Sequence, residues 1–186
     1  MQPDPAAPIE RNLDAFLPDL LASPADAGPL MAIVRRPSSD EREPLAEGVL
    51  DVDEGLVGDD WRARGSRSRP DGSPDPDAQL TLMSTRVLAA IEPDPARWPL
   101  AGDQLLVDLD LSETNLPPGT RLTVGEAELE VTAKPHTGCT KFAARFGQDA
   151  FRWISTPDGR GRRMRGVYVR VVRGGTLRVG DVVRKL

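Results

Sequence analysis

One cysteine and one histidine are all that 186 residues contain of either type. A lone cysteine excludes an internal disulfide framework. One of each also excludes the usual structural zinc sites, which take about four such ligands. Carboxylate-rich magnesium or calcium sites stay open, but no calcium-loop spacing is present. No apolar run approaches the roughly 20 residues of a membrane helix, so no membrane role is expected. The opening stretch, MQPDPAAPIERNLD, is acidic and proline-rich. It lacks the basic-then-apolar layout of a secretory signal, and this points to a cytoplasmic protein.

The length suits one domain with a sizeable core. Hydrophobic residues make up 39% and charged residues 28%, ordinary for a soluble globular chain. The net charge of −5 is unevenly spread. Residues 1–60 carry 4 basic and 14 acidic side chains, whereas residues 132–186 carry 13 and 3, a net +10. A cationic end on an acidic chain can hold an anion; a plain solvated face is the alternative. Nucleic acid is not expected as a partner, because the basic residues interleave with strand-like apolar positions and no nucleic-acid motif is visible.

Short alternating segments dominate the chain. LMAIVRRP (30–37) reads as a strand stopped by Pro37, and PLAEGVLDVDEG (44–55) as a second. In AQLTLMSTRVLAAI (78–91) the period changes from strand to helix, with Ser84 placed to cap the helix. AGDQLLVDLDLS (101–112) alternates through Leu111, and RLTVGEAELEVTA (121–133) reads as a hairpin about Gly125. KFAARFGQDAFRWI places Phe142, Phe146, Ala150 and Trp153 near one helical stripe that Gly147 interrupts. The last segment, GVYVRVVRGGTLRVGDVVRKL, is two alternating runs about a Gly-Gly turn. The pattern predicts a mainly β barrel with peripheral helices. Residues 1–47 are expected to form an N-terminal arm with a short helix and a first strand, packed on a barrel domain of residues 48–186. Inside that domain lies RARGSRSRPDGSPDPD (62–77), a loop that cannot build a core; its arginines, Arg62 and Arg67 among them, suggest anion binding, with a plain solvated loop as the alternative.

The rare pair sits together in PHTGCTKF (135–142). Cys139 is expected between a strand and a helix that starts near Thr140. His136 precedes it, and Lys141 and Arg145 follow on the first turns. A helix N-terminus and nearby cations favour thiolate, the form that binds metals or attacks. Gly138 allows a tight turn and close approach of a ligand. A soft sulfur donor suits a soft or high-valent metal better than calcium or magnesium. A buried inert thiol remains the alternative, and a Cys–His nucleophilic pair lacks a third orienting member at a recognised spacing.

With HTGCTKFAARFG followed by MRGVYVRVVRGGTLRVGD, the sequence resembles the MOSC domain family, named for the C-terminal part of molybdenum cofactor sulfurases. GLVGDDW, LTLMS, AGDQLLVDLDL, NLPPGTRLTVGEAELEVT and RGVYVRV fall in the family's order, and together they span roughly residues 48–183. The resemblance is strongest to small stand-alone bacterial members. It implies a MOSC-type β-barrel and a molybdenum cofactor, molybdopterin, with Cys139 as the metal ligand and catalytic centre. His136, Thr137, Gly138, Lys141, Arg145, Arg62 and Arg67 become the cofactor-binding candidates, with the cationic groups receiving its phosphate. The implied activity is an oxidoreductase acting on N–O compounds, with a small-molecule substrate and a redox partner protein. No pyridoxal-phosphate domain is present, and residues 1–47 are too few for the additional N-terminal β module of the amidoxime-reducing relatives. Trp61 stands near a position where some relatives carry histidine. Two alternatives remain: a module that carries sulfur or cofactor on Cys139 without turnover, and a metal-free barrel acting through protein contacts.

Overall fold

The computed structural model describes residues 12–186, so the first part of the expected arm lies outside the described residues. Its strands are Ala27–Arg35 (β1), Glu43–Leu45 (β2), Glu47–Asp51 (β3), Gly55–Leu56 (β4), Leu80–Ser84 (β5), Leu105–Val107 (β6), Arg121–Val124 (β7), Ala127–Val131 (β8), Val167–Arg173 (β9), Gly175–Arg178 (β10) and Val182–Lys185 (β11). Its α-helices are short: Leu17–Leu21 (α1), Trp61–Arg64 (α2), Thr85–Ile91 (α3), Thr140–Phe146 (α4), Gln148–Ser155 (α5) and Pro157–Gly161 (α6). Among the described residues, no helix is long and apolar enough to cross a membrane.

Seven strands pair in the order β11, β7, β8, β9, β5, β6, β1, and the pairing of β1 with β11 closes the ring. Closure removes both sheet edges, which an open sheet of this size would have to protect. All pairs in the ring are antiparallel except β5 with β6. Parallel neighbours need a long crossover, and α3 with the 3₁₀ turn Pro95–Ala101 supplies it. β2 extends the far end of β1, and β10, β3 and β4 form a separate small sheet. The mainly β barrel with peripheral helices is therefore what the chain forms.

Two apolar clusters explain the sequence pattern. Inside the ring, Leu30, Ile33, Leu82, Leu105, Leu122, Leu129 and Val169 are fully enclosed. Outside it, Met83 and Leu106 pack with Val87, Leu88, Phe142, Ala150, Ile154 and Met164 beneath the helices. β5 and β6 are thus buried on both faces, which accounts for their continuous apolar runs. Each enclosed leucine contributes about 1.5–3 kcal/mol relative to exposure.

Several local expectations change. β1 does not pack on the barrel from outside; it is one of its walls, because its two halves pair with β11 and β6. The ladder after Leu105 stops at Val107, although Leu109 and Leu111 stay buried. Beyond that point the amides of Asp108 and Asp110 bond instead to Pro29 and Pro24, at 3.1 and 2.9 Å. Ser84 stands at the N-cap of α3, but its side chain makes no capping bond and its buried Oγ has no partner among the described residues. The hairpin about Gly125 and the strand-to-helix switch at Ser84 lie where the sequence puts them. Gly147, at φ +92°, ends α4 and lets α5 leave in a new direction while Phe142 and Ala150 stay in one cluster.

Candidate functional site

After β8 the chain crosses one end of the barrel as residues 132–139 and enters α4. Thr132 anchors the crossing: its amide bonds Tyr168 O at 3.0 Å, and its hydroxyl bonds Asp77 O at 2.7 Å. Lys134 binds Ser68 Oγ at 2.9 Å and pairs with Asp75, which ties the 62–77 loop to the crossing. The His136 ring lies 4.4 Å from that of Tyr168 at a tilt of 43°. Cys139 then sits at the N-cap position of α4 in extended conformation, with its side chain exposed.

Cys139 lines a cleft of about 840 Å³. The cleft runs between the chain after β1, α2 with its following loop, residues 101–104 and the 134–145 segment. Eight Arg and Lys side chains line it against three Asp. Two of those cations are held by enclosed carboxylates. Arg36 makes a two-pronged pair with Asp59, at 3.0 and 2.8 Å, and gives its third nitrogen to Gly102 O at 3.1 Å. Burial opposes the Arg36 charge, but the hydrogen bonds and charge of Asp59 outweigh it and raise its pKa. Arg165 binds both oxygens of Asp103, at 2.9 and 2.8 Å, and its guanidinium carbon lies 4.9 Å from the centre of the Phe142 ring.

The remaining cations are looser. Lys141 and Arg145 both contact Asp40. Among the described residues, Arg42 has no carboxylate partner and its buried Nε has no hydrogen bond. Its pKa is lowered by burial and then by the nearby charges of Arg145 and Arg36. Arg67 lines the cleft with no partner among the described residues. His136 is enclosed, and burial, reinforced by Arg165 and Arg36, pushes its pKa well below the ordinary histidine value. It is therefore neutral at physiological pH. Its Nδ1, 3.9 Å from Asp103, makes no hydrogen bond.

Of the residues singled out in the sequence, Cys139, His136, Lys141, Arg145 and Arg67 meet on this cleft. Thr137 and Gly138 do not; they line a neighbouring cavity of about 530 Å³ that shares Lys134, His136 and Arg165 with the cleft. Arg62 is also absent from the cleft wall, since α2 turns it outward to Glu54 at 3.9 Å. Gly138 is favoured by packing rather than by a turn: a Cβ there would lie 2.8 Å from the Phe151 ring. Arg36, Arg42, Lys134, Arg165, Trp61 and Tyr168 were not singled out for the site, yet all line the cleft. Adjacency of Arg165 to the GVYV strand was the one signal for them, and it is weak without the fold.

Among the described residues, no three His, Cys, Asp or Glu side chains gather into a metal cage. A metal at Cys139 would have to arrive with most of its ligands already in place, as in an organic cofactor. The donor set fits such a group: one accessible sulfur on a cleft where Arg42 and Arg67 have no carboxylate partner among the described residues.

The solved structures to which the chain is similar share its fold. The YuaD protein of Bacillus subtilis matches with a TM-score of 0.61 at 14% identity, over 86% of this chain and 95% of that one. YiiM of Geobacillus stearothermophilus matches with a TM-score of 0.59 at 16% identity, over 86% and 75%. YiiM of Escherichia coli matches with 0.55 at 20% identity, over 86% and 69%. No curated protein sequence matches. The MOSC domain family matches residues 59–184, which takes in the barrel from β5 onward, Cys139 and the cleft wall apart from its 36–42 segment, and the chain belongs to that family.

Proposed function

We propose that this protein binds the molybdenum cofactor in the cationic cleft, with Cys139 as the protein's ligand to the metal, and that it is an oxidoreductase for small N-hydroxylated compounds. The observation that carries this reading is the position of Cys139: its exposed thiol lines a large cleft with a strong excess of cationic side chains. Bound there, the cofactor supplies two-electron redox chemistry at molybdenum.

The chain's own residues do the rest. Arg42, Arg67, Lys141 and Arg145 are the groups available to a phosphate. Arg36 and Arg165 are held by Asp59 and Asp103, so each is a fixed, charge-balanced pair and not a movable grip. Neutral His136 offers a hydrogen-bonding group without adding charge. Trp61, Phe142 and Tyr168 give the cleft wall an aromatic surface beside the cations. Electrons come from a redox partner protein.

Metal analysis and oxidised-pterin fluorescence, on protein from a host that makes the cofactor, test the proposal. Wild type is expected to carry both, and Cys139→Ser to lose at least nine-tenths of its molybdenum while staying folded. Full molybdenum occupancy in the variant overturns the ligand assignment. Exposure of the thiol also favours a second reading, in which Cys139 carries a persulfide sulfur for another protein. Mass spectrometry of the freshly purified chain separates the two, since only the carrier accumulates an adduct of one sulfur.

A further inference from the structure

Asp40 lies in the loop between β1 and β2, and its carboxylate reaches across the cleft mouth to α4. Its Oδ1 accepts from Lys141 Nζ at 2.9 Å and from Arg145 Nη2 at 2.7 Å, and its Oδ2 accepts from Lys141 at 3.1 Å. Arg145 is aimed there by its other nitrogen, which bonds Leu100 O at 2.8 Å. Lys141 and Arg145 thus hold an anion already, one that the chain itself supplies.

Little else keeps that anion in place. The Asp40 side chain is 58% exposed. Its backbone is in the left-handed region at φ +65°, a conformation that a residue with a Cβ adopts at a cost. Nearby support is limited to the amide of Glu41 bonding Ser38 O at 3.2 Å and a 3.4 Å contact from Ser39 Oγ. The contrast with Asp59 and Asp103 is sharp, because those carboxylates are enclosed and each accepts two hydrogen bonds from its arginine's guanidinium. Arg42, on the same loop, lines the same cleft, has no carboxylate partner among the described residues, and is close enough for its charge and that of Arg145 to oppose each other. Without Asp40, three like charges would face one another across the mouth, an arrangement that favours an incoming anion.

We propose that Asp40 is a tethered competitor for the anion seat formed by Lys141, Arg145 and Arg42, and that a phosphate group entering the cleft displaces it and swings the 38–42 loop outward. The proposal rests on reading the cleft as a ligand site, but not on molybdenum or on Cys139. Its consequence is a gate: the seat binds weakly until a ligand with other contacts in the cleft tips the exchange, so stray anions are rejected. Apparent affinity is reduced by the fraction of molecules in which Asp40 fills the seat.

Calorimetric titration with inorganic phosphate and, separately, phenyl phosphate tests this on the full chain made in a host without the cofactor. Asp40→Asn is expected to bind phosphate about fivefold tighter than wild type. Adding Lys141→Ala, at an exposed position, returns the affinity to wild type or below. In wild type, phosphate should speed amide exchange at residues 38–42. Tightening with both probes assigns the seat to any phosphate, and tightening with phenyl phosphate alone assigns it to organic phosphate esters. Equal affinity in wild type and Asp40→Asn overturns the proposal, as does equal tightening in Asp149→Asn, which removes one negative charge away from the cleft. A failure of Cys139→Ser to lose molybdenum leaves these outcomes unaffected, so the two readings fail separately.

Discussion

Arg165 and Asp103 meet through two hydrogen bonds, at 2.9 and 2.8 Å, with the carboxylate wholly out of water and the guanidinium nearly so. The pair joins the segment just before β9 to the loop before β6, and Asp103 lies 3.9 Å from His136 Nδ1. Removing one member leaves the other charge buried. Asp103→Ala is expected to destabilise the protein by about 3–5 kcal/mol, whereas the double change Asp103→Leu with Arg165→Met costs much less. Urea denaturation of the three chains checks this, and a single variant as stable as wild type would refute the role of the pair.

His136 links stability to pH. Its folded pKa lies well below the ordinary value, with burial as the main cause. Between the unfolded value of about 6.5 and the lower folded one, the unfolded chain binds a proton that the native chain refuses. The stability present above about pH 6.5 therefore falls as the pH drops through that window. His136→Gln should flatten the slope of unfolding free energy between about pH 6.5 and 5. An unchanged slope would mean that the imidazole takes up its proton in the native state.

Two glycines near the site should respond differently to alanine. At Gly138 the new Cβ would meet the Phe151 ring at 2.8 Å, and a half-buried ring can move. At Gly166 it would lie 2.3 Å from the carbonyl oxygen of Leu82 in a barrel strand, at a backbone φ of +97°. Gly138→Ala is expected to cost about 1 kcal/mol and Gly166→Ala about 3 kcal/mol or more. Phe151→Val should relieve the first and leave the second unchanged. Thermal melts of wild type, the three single variants and the two doubles with Phe151→Val decide the ranking.

Cys139→Ser tests the thiol from the other side. An exposed side chain away from the core carries little stability, so the variant's unfolding free energy should stay within about 0.5 kcal/mol of wild type. A larger loss would show that the sulfur has a packing role, and would weaken its assignment as a ligand.

Most of the architecture was readable because the barrel depends on period. Leu80 and Leu82, Leu129 and Val131, and Val167, Val169 and Val171 alternate, and each set faces the interior. The helical stripe of Phe142, Phe146, Ala150 and Trp153 is real as well: Phe142 and Ala150 are buried and the other two pack against them. Where reading failed, a partner distant in sequence decided the outcome. Alternation continues through Leu111, but the β6 ladder ends at Val107 because the following amides find Pro29 and Pro24. Ser84 has a capping residue's identity and position, yet its hydroxyl is enclosed and unpaired.

The site divides along the same line. Local sequence determined that Cys139 begins a helix, that His136 and Lys141 accompany it, and that the last third of the chain is cationic, because those are properties of neighbouring residues and of composition. Only the tertiary structure decided which cations face the thiol. Arg62 and Arg67 lie in one loop, but α2 turns the first outward to Glu54 while the second lines the cleft. Arg36, Arg42 and Arg165 join it from opposite ends of the chain, and Asp40 crosses about a hundred residues to meet Lys141 and Arg145. Charge acts through space, so its pairing follows from barrel closure and not from order along the chain.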